Sequence, residues 1–480
     1  MQFMMFMESA AQNLPETVNY DSLTYQLYMK GSWKELLRTG NRMPAEGMDY
    51  YYLRMRTGIA AMQVKDYAQA EKHFRKALSF NPMDKNAVLF LAQTLAANNK
   101  NVESGSLYRS MSTQSRKESG LKEGWVPISA HVDIGAVFRN KKNGLGFDDL
   151  TGSAGVYGQE RIYKNNLFYD AGLYFKTNPQ WLFYAGFQSI GIDVTDRFAF
   201  IESSLTNDSI IVSDAGKAYY YSVDTIHKTN NYEHQLKQQS AYFQAQWSSS
   251  TKWSLVAGLH VLSVKSDFTL TEEERISIND TAFYNNNTGQ VELFNTYLEQ
   301  VSFYNVPWKT YDINVSLNGK LHFGKFTALA GISTGSINDS SVFQANTGFL
   351  YMPFGNLNTF NQTEFFALHT NGQVSWAAKT RFGIQPLKST WLEAEIFAGA
   401  LNNLNDQYGY IIYNNPDKLN LRFEATLSKA LTDRVIIQIR YRYMESERQF
   451  SHLDDSGNDL ILGSYHINSQ TIIGGIKWIF

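Results

Sequence analysis

At Val126 the hydrophobic period of the chain changes from helical to two, and that change limits the fold more than any other feature. Val132, Ile134, Ala136 and Phe138 alternate with His131, Asp133 and Gly135, and later Tyr311, Ile313, Val315, Leu317 and Leu321 alternate with Asp312, Asn314, Ser316, Asn318 and Lys320. A strand sends successive side chains to opposite faces, so each segment has one apolar and one polar face. Soluble sandwiches alternate too, and the pattern alone does not choose the solvent. Composition does: 14% of the residues are aromatic and only 18% charged, which suits a strand-rich chain facing lipid. No apolar run reaches the ~18–20 residues of a spanning helix, so insertion requires a closed barrel in which all backbone groups pair.

Strands are expected at 127–138, 152–163, 167–176, 181–190, 195–204, 239–248, 253–264, 309–322, 325–335, 371–384, 391–401, 418–430, 434–446 and 466–480. Fourteen strands result, with 12 to 16 compatible because 191–204 and 336–370 read either way. Tight links at Lys164-Asn165-Asn166, Ser248 to Lys252, Phe323 to Lys325 and Ala430 to Arg434 alternate with long polar ones at 205–239, 265–308, 402–417 and 448–463. Such asymmetry is typical of a membrane barrel. Trp181, Trp247, Trp253, Trp308, Trp391 and Trp478 lie near proposed strand ends, where an aromatic girdle would meet the lipid interface. An even strand count places both barrel ends on one side. The last residues, Gly475, Trp478 and Phe480, resemble the C-terminal assembly signal of bacterial outer-membrane proteins, with two aromatics two apart and Phe last.

The first part of the chain differs. Residues 1–124 hold 16 Lys and Arg against 12 Asp and Glu, whereas residues 125–480 hold 27 against 33. Of nine Trp only Trp33 precedes residue 125, so a domain boundary falls near residue 120. Met1 to Met7 is an apolar run followed by Ser9-Ala10-Ala11, a small-x-small cleavage pattern, but the first basic residue is Lys30. Residues 1–16 therefore read as the remnant of a secretory signal or as a frayed terminus.

Residues 51–84 form a repeat unit. Gly58 and Ala61 are small residues on a first helix, Asp66-Tyr67 follows a turn, Ala70, Phe74 and Ala77 share one face of a second helix, and Pro82 ends it. A shift of 34 residues reaches Ala92, Leu95, Ser104, Tyr108 and Met111, and the reverse shift reaches Trp33 and Leu36. This spacing resembles the tetratricopeptide repeat, with departures at Arg54, where Trp is usual, and Ala61, where a large aromatic is usual. Three repeats are expected at 17–50, 51–84 and 85–118, the outer two degenerate as terminal units commonly are. Residues 119–125 form a linker and 126–480 the barrel. The resemblance implies a groove lined by Tyr25, Tyr28, Tyr52, Met55, Ile59, Met62, Leu89 and Gln93. An apolar, methionine-bearing groove suits a helical or extended peptide; the same positions could equally pack on the barrel or on the chain terminus.

The charged residues of the last strands are the most informative candidates. Lys379, Arg381, Glu393, Glu395, Arg422, Glu424, Arg440, Arg442 and Lys477 are expected to face the lumen with largely alternating sign, which favours cross-strand pairing and a braced wall over a conduit of one charge. His227, Glu233 and His234 lack metal-site spacing, and Asp454 to Asp459 lacks the closing Glu of a calcium loop. No phosphate loop or nucleophile elbow occurs. The formal charge of −2 argues against nucleic acid as a partner. With no Cys, structural disulfides and Cys-ligated metals are excluded, and no cofactor is expected.

Helical repeats fused to an outer-membrane barrel resemble export porins and accessory subunits of assembly or secretion machines. The expected role is a non-enzymatic, barrel-anchored adaptor that recruits a periplasmic or outer-membrane protein, with membrane lipid and lipopolysaccharide around the wall. The alternative is an export porin for exopolysaccharide or small solutes.

Overall fold

The computed structural model describes residues 20–98, 100–119, 126–141, 147–152, 155–178, 180–213, 216–248, 252–285, 290–415, 417–453 and 459–480. The expected signal remnant at 1–16 lies outside them, as does most of the 119–125 linker. The chain divides into two compact units, residues 1–123 with 352–357, and residues 124–351 with 358–480.

Within the first unit the described residues form seven helices: α1 (Tyr20–Met29), α2 (Trp33–Arg42), α3 (Tyr51–Gln63), α4 (Tyr67–Phe80), α5 (Lys85–Ala97), α6 (Asn101–Ser110) and α7 (Thr113–Ser119). Asp66 and Asp84 start α4 and α5 by accepting the backbone N–H groups of Gln69 and Ala87, donors that the first helical turn leaves unpaired. Phe74, Ala61, Ala70, Ala77, Ala87, Leu91 and Leu95 form the core between the helices. Gly58 is required there, because a Cβ would lie 2.7 Å from the Phe74 ring. Arg54, the departure from the repeat pattern, holds Asp49 through two hydrogen bonds of 2.6 and 2.8 Å.

The second unit is a closed antiparallel barrel of 14 strands. Its wall comprises β1 (Val126–Lys141), β2 (Val156–Asn178), β3 (Trp181–Ser213), β4 (Gly216–Ser248), β5 (Trp253–Asn285), β6 (Gln290–Phe323), β7 (Phe326–Ile337), β8 (Ser340–Tyr351), β9 (Thr359–Thr370), β10 (Gln373–Leu387), β11 (Thr390–Gly399), β14 (Lys418–Ala430), β15 (Val435–Leu453) and β16 (Leu460–Ile479). Two short strands, β12 (Leu404–Asp406) and β13 (Ile411–Tyr413), form a separate hairpin. The wall closes where β1 pairs with β16, Ser129 facing Ile479 and the Phe480 N–H donating to the Ile128 carbonyl at 3.0 Å. Both barrel ends therefore lie on one side, where Trp181 packs 6.4 Å from Trp247 and Trp247 5.2 Å from Trp253.

The polarity of the wall is inside out. On β6, Tyr311, Ile313, Val315 and Leu317 are 47–61% exposed, while Asp312, Asn314, Ser316 and Asn318 between them are 1–4% exposed. A barrel with this arrangement is solvated by hydrocarbon outside and by its own polar contents inside. It is a transmembrane barrel.

Several expected boundaries change. The segments 152–163 and 167–176 are one strand, β2, with the proposed link at Lys164-Asn165-Asn166 a β-bulge. Likewise 181–190 and 195–204 belong to β3. The ambiguous stretch 336–370 contains β8 and β9, joined to their neighbours by the two-residue turns Asn338-Asp339 and Asn371-Gly372, whose positive φ values match the twist of flanking strands. The expected long loops 205–239 and 265–308 mostly continue the ladders of β3 with β4 and β5 with β6. Strands of 33–34 residues far exceed the ~9–11 residues that cross a bilayer, so these hairpins extend beyond it. Trp308 and Trp391 are not girdle residues. Trp308 lines the lumen, and Trp391 shares the face of Glu393 and Glu395. Trp376, 69% exposed on β10, faces outward instead.

Candidate functional site: a plugged lumen

Between β11 and β14 the chain turns inward. Residues 402–417, expected as an outer loop, place β12, β13 and the turn Gln407–Gly409 against the lumen wall. At the tip Gln407, Tyr408 and Gly409 all have positive φ (51, 64 and 88°). A bulky residue such as Tyr adopts this conformation only when its surroundings fix it. Here the Tyr408 carbonyl accepts from Ser316 and, at 2.9 Å, from Tyr242, and the next carbonyl, of Gly409, meets His260 Nδ1 at 2.8 Å. Gly258 on β5 makes the approach possible, since a Cβ there would collide with the Tyr408 carbonyl.

The base of the plug is held by an apolar cluster and a buried charge network. Leu401, Leu404 and Tyr413 pack with Ile337, Val342, Phe366, Leu368, Phe397 and Leu419. Asp406 reaches the ammonium of Lys379, which also lies 3.0 Å from Glu364. Tyr410 donates to Asp170 on β2, and Asn414 Nδ2 donates to Gln238 on β4 at 2.9 Å. Several polar groups that would face water in an outer loop are thus paired with inward-facing wall residues, as burial favours.

The expected charge ladder is largely assembled, and these additional residues complete it. Arg422, 1% exposed, pairs with Glu395 and lies 3.7 Å from Asp406. Arg381 stands 3.9 Å from both Glu393 and Glu395. Glu424 accepts from Arg442 Nε at 2.7 Å and lies 3.3 Å from Arg440, which is 3.7 Å from Asp133 on β1. Lys477 lines the lumen opposite His131 and makes no ion pair among the described residues. Glu364, Asp406 and Asp170 escaped the sequence reading, and Asp133 reads there as part of the polar face of β1 but not as a member of the ladder. Period-two parity on β2 and β9 could have found Asp170 and Glu364, whereas nothing in the sequence places Asp406 inside.

Two of the cavities beside the plug, among the described residues, are large enough for a small molecule. The larger, of about 860 Å³, is lined by Arg139, Arg161, Trp308, Glu393, Arg440 and Lys477 among others. The smaller, of about 340 Å³, is lined by Tyr174, Tyr184, Tyr242, Gln244, Lys320 and Tyr408. His131, Arg381, Gln407 and Tyr410 border both, so Gln407 and Tyr410 of the plug stand at their junction.

The expected groove is not an open surface. Met55 is 8% exposed and packs in the helical core with Leu91 and Leu95, and Ile59 and Met62 pack against that core. The reason is that α3 lies between its neighbours and turns this face to α5. Leu89 and Gln93 on α5 are half-buried. Tyr28 is half-buried too and packs edge-on against Trp33 at 5.8 Å. Tyr25 and Tyr52 are 50% and 64% exposed and flank the Arg56 guanidinium, at 5.2 and 5.9 Å from the ring centres.

His227, Glu233 and His234 are not brought together. His227 meets Tyr157 at 3.2 Å, Glu233 pairs with Lys164 at 2.6 Å, and His234 turns to the opposite face of β4 beside Asp196, at 3.1 Å. The expected polar turn at 454–459 falls mostly outside the described residues. Trp478 and Phe480 are 45% and 47% exposed on the outer face, and Gly475 leaves the space that the Asp133 carboxylate occupies.

No protein-family model matches the sequence, and no curated protein matches it. Among solved structures, similar chains include a Pseudomonas aeruginosa FadL homologue (8% identity, TM-score 0.42, covering 74% of this chain and 90% of that one). The Pseudomonas putida toluene transporter TodX is similar at 7% identity and TM-score 0.39, with 74% and 90% covered. The translocator domain of the autotransporter NalP from Neisseria meningitidis is similar at 10% identity and TM-score 0.30, with 81% and 99% covered. At these values the likeness marks no family, and the description of the barrel rests on its own strand pairing and polarity.

Proposed function

We propose that this protein is an outer-membrane passage for small polar solutes, held closed by residues 402–417. The observation that carries this reading is the way the plug is attached. Its tip and both arms meet the wall through side-chain hydrogen bonds, ion pairs and the apolar packing of Leu404 and Tyr413, while among the described residues no backbone ladder joins β12 or β13 to the barrel. Side-chain attachments can exchange for water one by one, so the segment can move while the wall stays closed. The larger cavity falls within the ~300–1,000 Å³ common for small-molecule sites. Its lining of both charges with aromatics suits a zwitterionic or hydroxyl-rich solute better than a hydrocarbon, because an apolar solute would leave those charges desolvated and unpaired.

An outer-membrane location is supported by the apolar outer face of the barrel, which implies contact with lipid and lipopolysaccharide. The barrel ends at Val126 and Ile479 lie opposite the tips of the long hairpins β3 with β4 and β5 with β6, which supports a periplasmic position for the chain preceding Val126. The pairs α1 with α2, α3 with α4 and α5 with α6 fall in the spans 17–50, 51–84 and 85–118, and this supports the tetratricopeptide resemblance. The adaptor role loses its main support, because Met55, Ile59 and Met62 serve the helical core.

Efflux from liposomes loaded with glycine, glucose and a dextran tests the passage. Slow release of the two small solutes with retention of the dextran is expected. Retention of all three, both by the wild type and by a variant lacking the plug, would overturn it.

A further inference from the structure

We propose that His131, Asp133 and Asp170 form a binding site for a first-row divalent cation on the lumen wall. The residues come together through strand register. Asp133 on β1 and Asp170 on β2 are direct cross-strand partners, and His131 lies two residues from Asp133 on the same inward face. One ligand atom from each lies within 4.8 Å of the other two. Rotation of the side chains brings such a set to the ~2.0–2.2 Å bonds of a nitrogen and oxygen donor site.

A second observation points to a ligand. Asp170 is 8% exposed, and its Oδ1, 3.8 Å from His131 Nε2, has no hydrogen-bond partner among the described residues although it is buried. Its other oxygen accepts from Tyr410. Leaving a buried carboxylate oxygen unpaired is costly, and placing two carboxylates directly opposite each other across a strand pair adds repulsion. The nearby cations do not resolve this. Arg440 is 3.7 Å from Asp133 but closer to Glu424, at 3.3 Å, and Lys477 lies across from His131. A bound divalent cation neutralises the pair and supplies the missing partner of Oδ1.

The donor set indicates the class of ion. One imidazole nitrogen with two carboxylate oxygens suits Mn²⁺ or Zn²⁺, whereas Mg²⁺ and Ca²⁺ favour oxygen alone. All three residues border the larger cavity, so the remaining coordination positions face its contents. Because Asp170 also holds Tyr410, the cation would fix the wall residue on which the plug tip rests. The site stands on wall geometry alone, and its failure would leave the passage reading intact.

Full-length protein in detergent, stripped with chelator, is titrated with MnCl₂ while free Mn²⁺ is followed by electron paramagnetic resonance, and with ZnCl₂ by calorimetry. One ion per chain is expected. Asp170→Asn and His131→Ala should each weaken binding at least about tenfold, in line with the loss of one ligand, and Glu447→Gln, an acidic change away from the lumen, should not. Folding of each variant is checked by heat-modifiable gel migration; if Asp170→Asn does not fold, His131→Ala decides. The absence of binding to the wild type, or unchanged binding to a folded ligand variant, would overturn the proposal.

Discussion

The side chain of Gln344 on β8 pairs with the backbone of Asn405 as a neighbouring strand would: Nε2 donates to the Asn405 carbonyl at 2.8 Å, and Oε1 accepts from its N–H at 2.9 Å. Both residues are 2% exposed. One wall side chain thereby satisfies both backbone groups of a plug residue. Gln344→Leu keeps the size of the side chain and removes both bonds, leaving two buried polar groups unpaired at about 1–3 kcal/mol each. The β8 backbone ladder is untouched, so the urea midpoint of the barrel should change little while opening events in planar bilayers become more frequent. An unchanged opening frequency in a folded variant would show that the plug does not depend on this contact.

The ladder predicts a larger effect on the wall. Glu395 faces Arg422 and Arg381 and lies close to the Lys379 and Asp406 pair. Glu395→Lys replaces the counter-ion of a fully buried guanidinium with a second cation. Breaking a buried pair typically costs about 3–5 kcal/mol, so the urea midpoint in detergent should fall clearly. Glu393→Lys, at a partly exposed position on the same strand, should lower it less.

Much of the barrel was legible because its two faces differ in solvent. Wherever lipid lies outside and polar side chains lie inside, as on β1 and β6, period two gives both strand and orientation. The count of fourteen nevertheless came from compensating errors. A bulge at Asn166 and the stretch from Gly191 to Val194, where Gly and Asp interrupt the apolar alternation, split two strands, while two-residue turns hid β8 and β9, since such turns leave almost no polar gap in the sequence. The extended hairpins lie beyond the bilayer and carry no lipid face, so they read as loops. The plug was invisible for a related reason: its Asn, Asp, Gln and Tyr residues have the composition of an exposed loop, and only the wall shows that many of their polar groups are paired. In the helical unit the helix positions were readable, but which face of α3 would be open was not. Family spacing points Met55 into a groove, whereas packing against Leu91 and Leu95 buries it.

The helical unit should lose stability in mild acid. His73 is 1% exposed, with Nδ1 3.2 Å from the Arg54 guanidinium and Nε2 2.8 Å from Asn41 Oδ1. Burial first, and then Arg54, lower its pKa to about 4. The unfolded chain takes up the proton near pH 6.5, so the contribution of neutral His73 is complete above that pH and is lost as pH falls towards about 4. The full effect is about 3 kcal/mol. The Asp49 carboxylate, held below its usual range by Arg54, responds only at lower pH. Hydrogen exchange of α3 and α4 in the full-length protein should rise between pH 6.5 and 4 after correction for intrinsic rates, and His73→Gln should flatten that rise.

On the proposed reading, residues 402–417 close a barrel that would otherwise conduct. Single-channel recording tests it most directly, on the wild type and on a variant in which residues 402–416 are replaced by a short Gly-Ser linker between β11 and β14. The account predicts small or brief conductance for the wild type and a large, steady conductance for the variant. A wild type that is already steadily open, or a folded variant that conducts no more than the wild type, would contradict it.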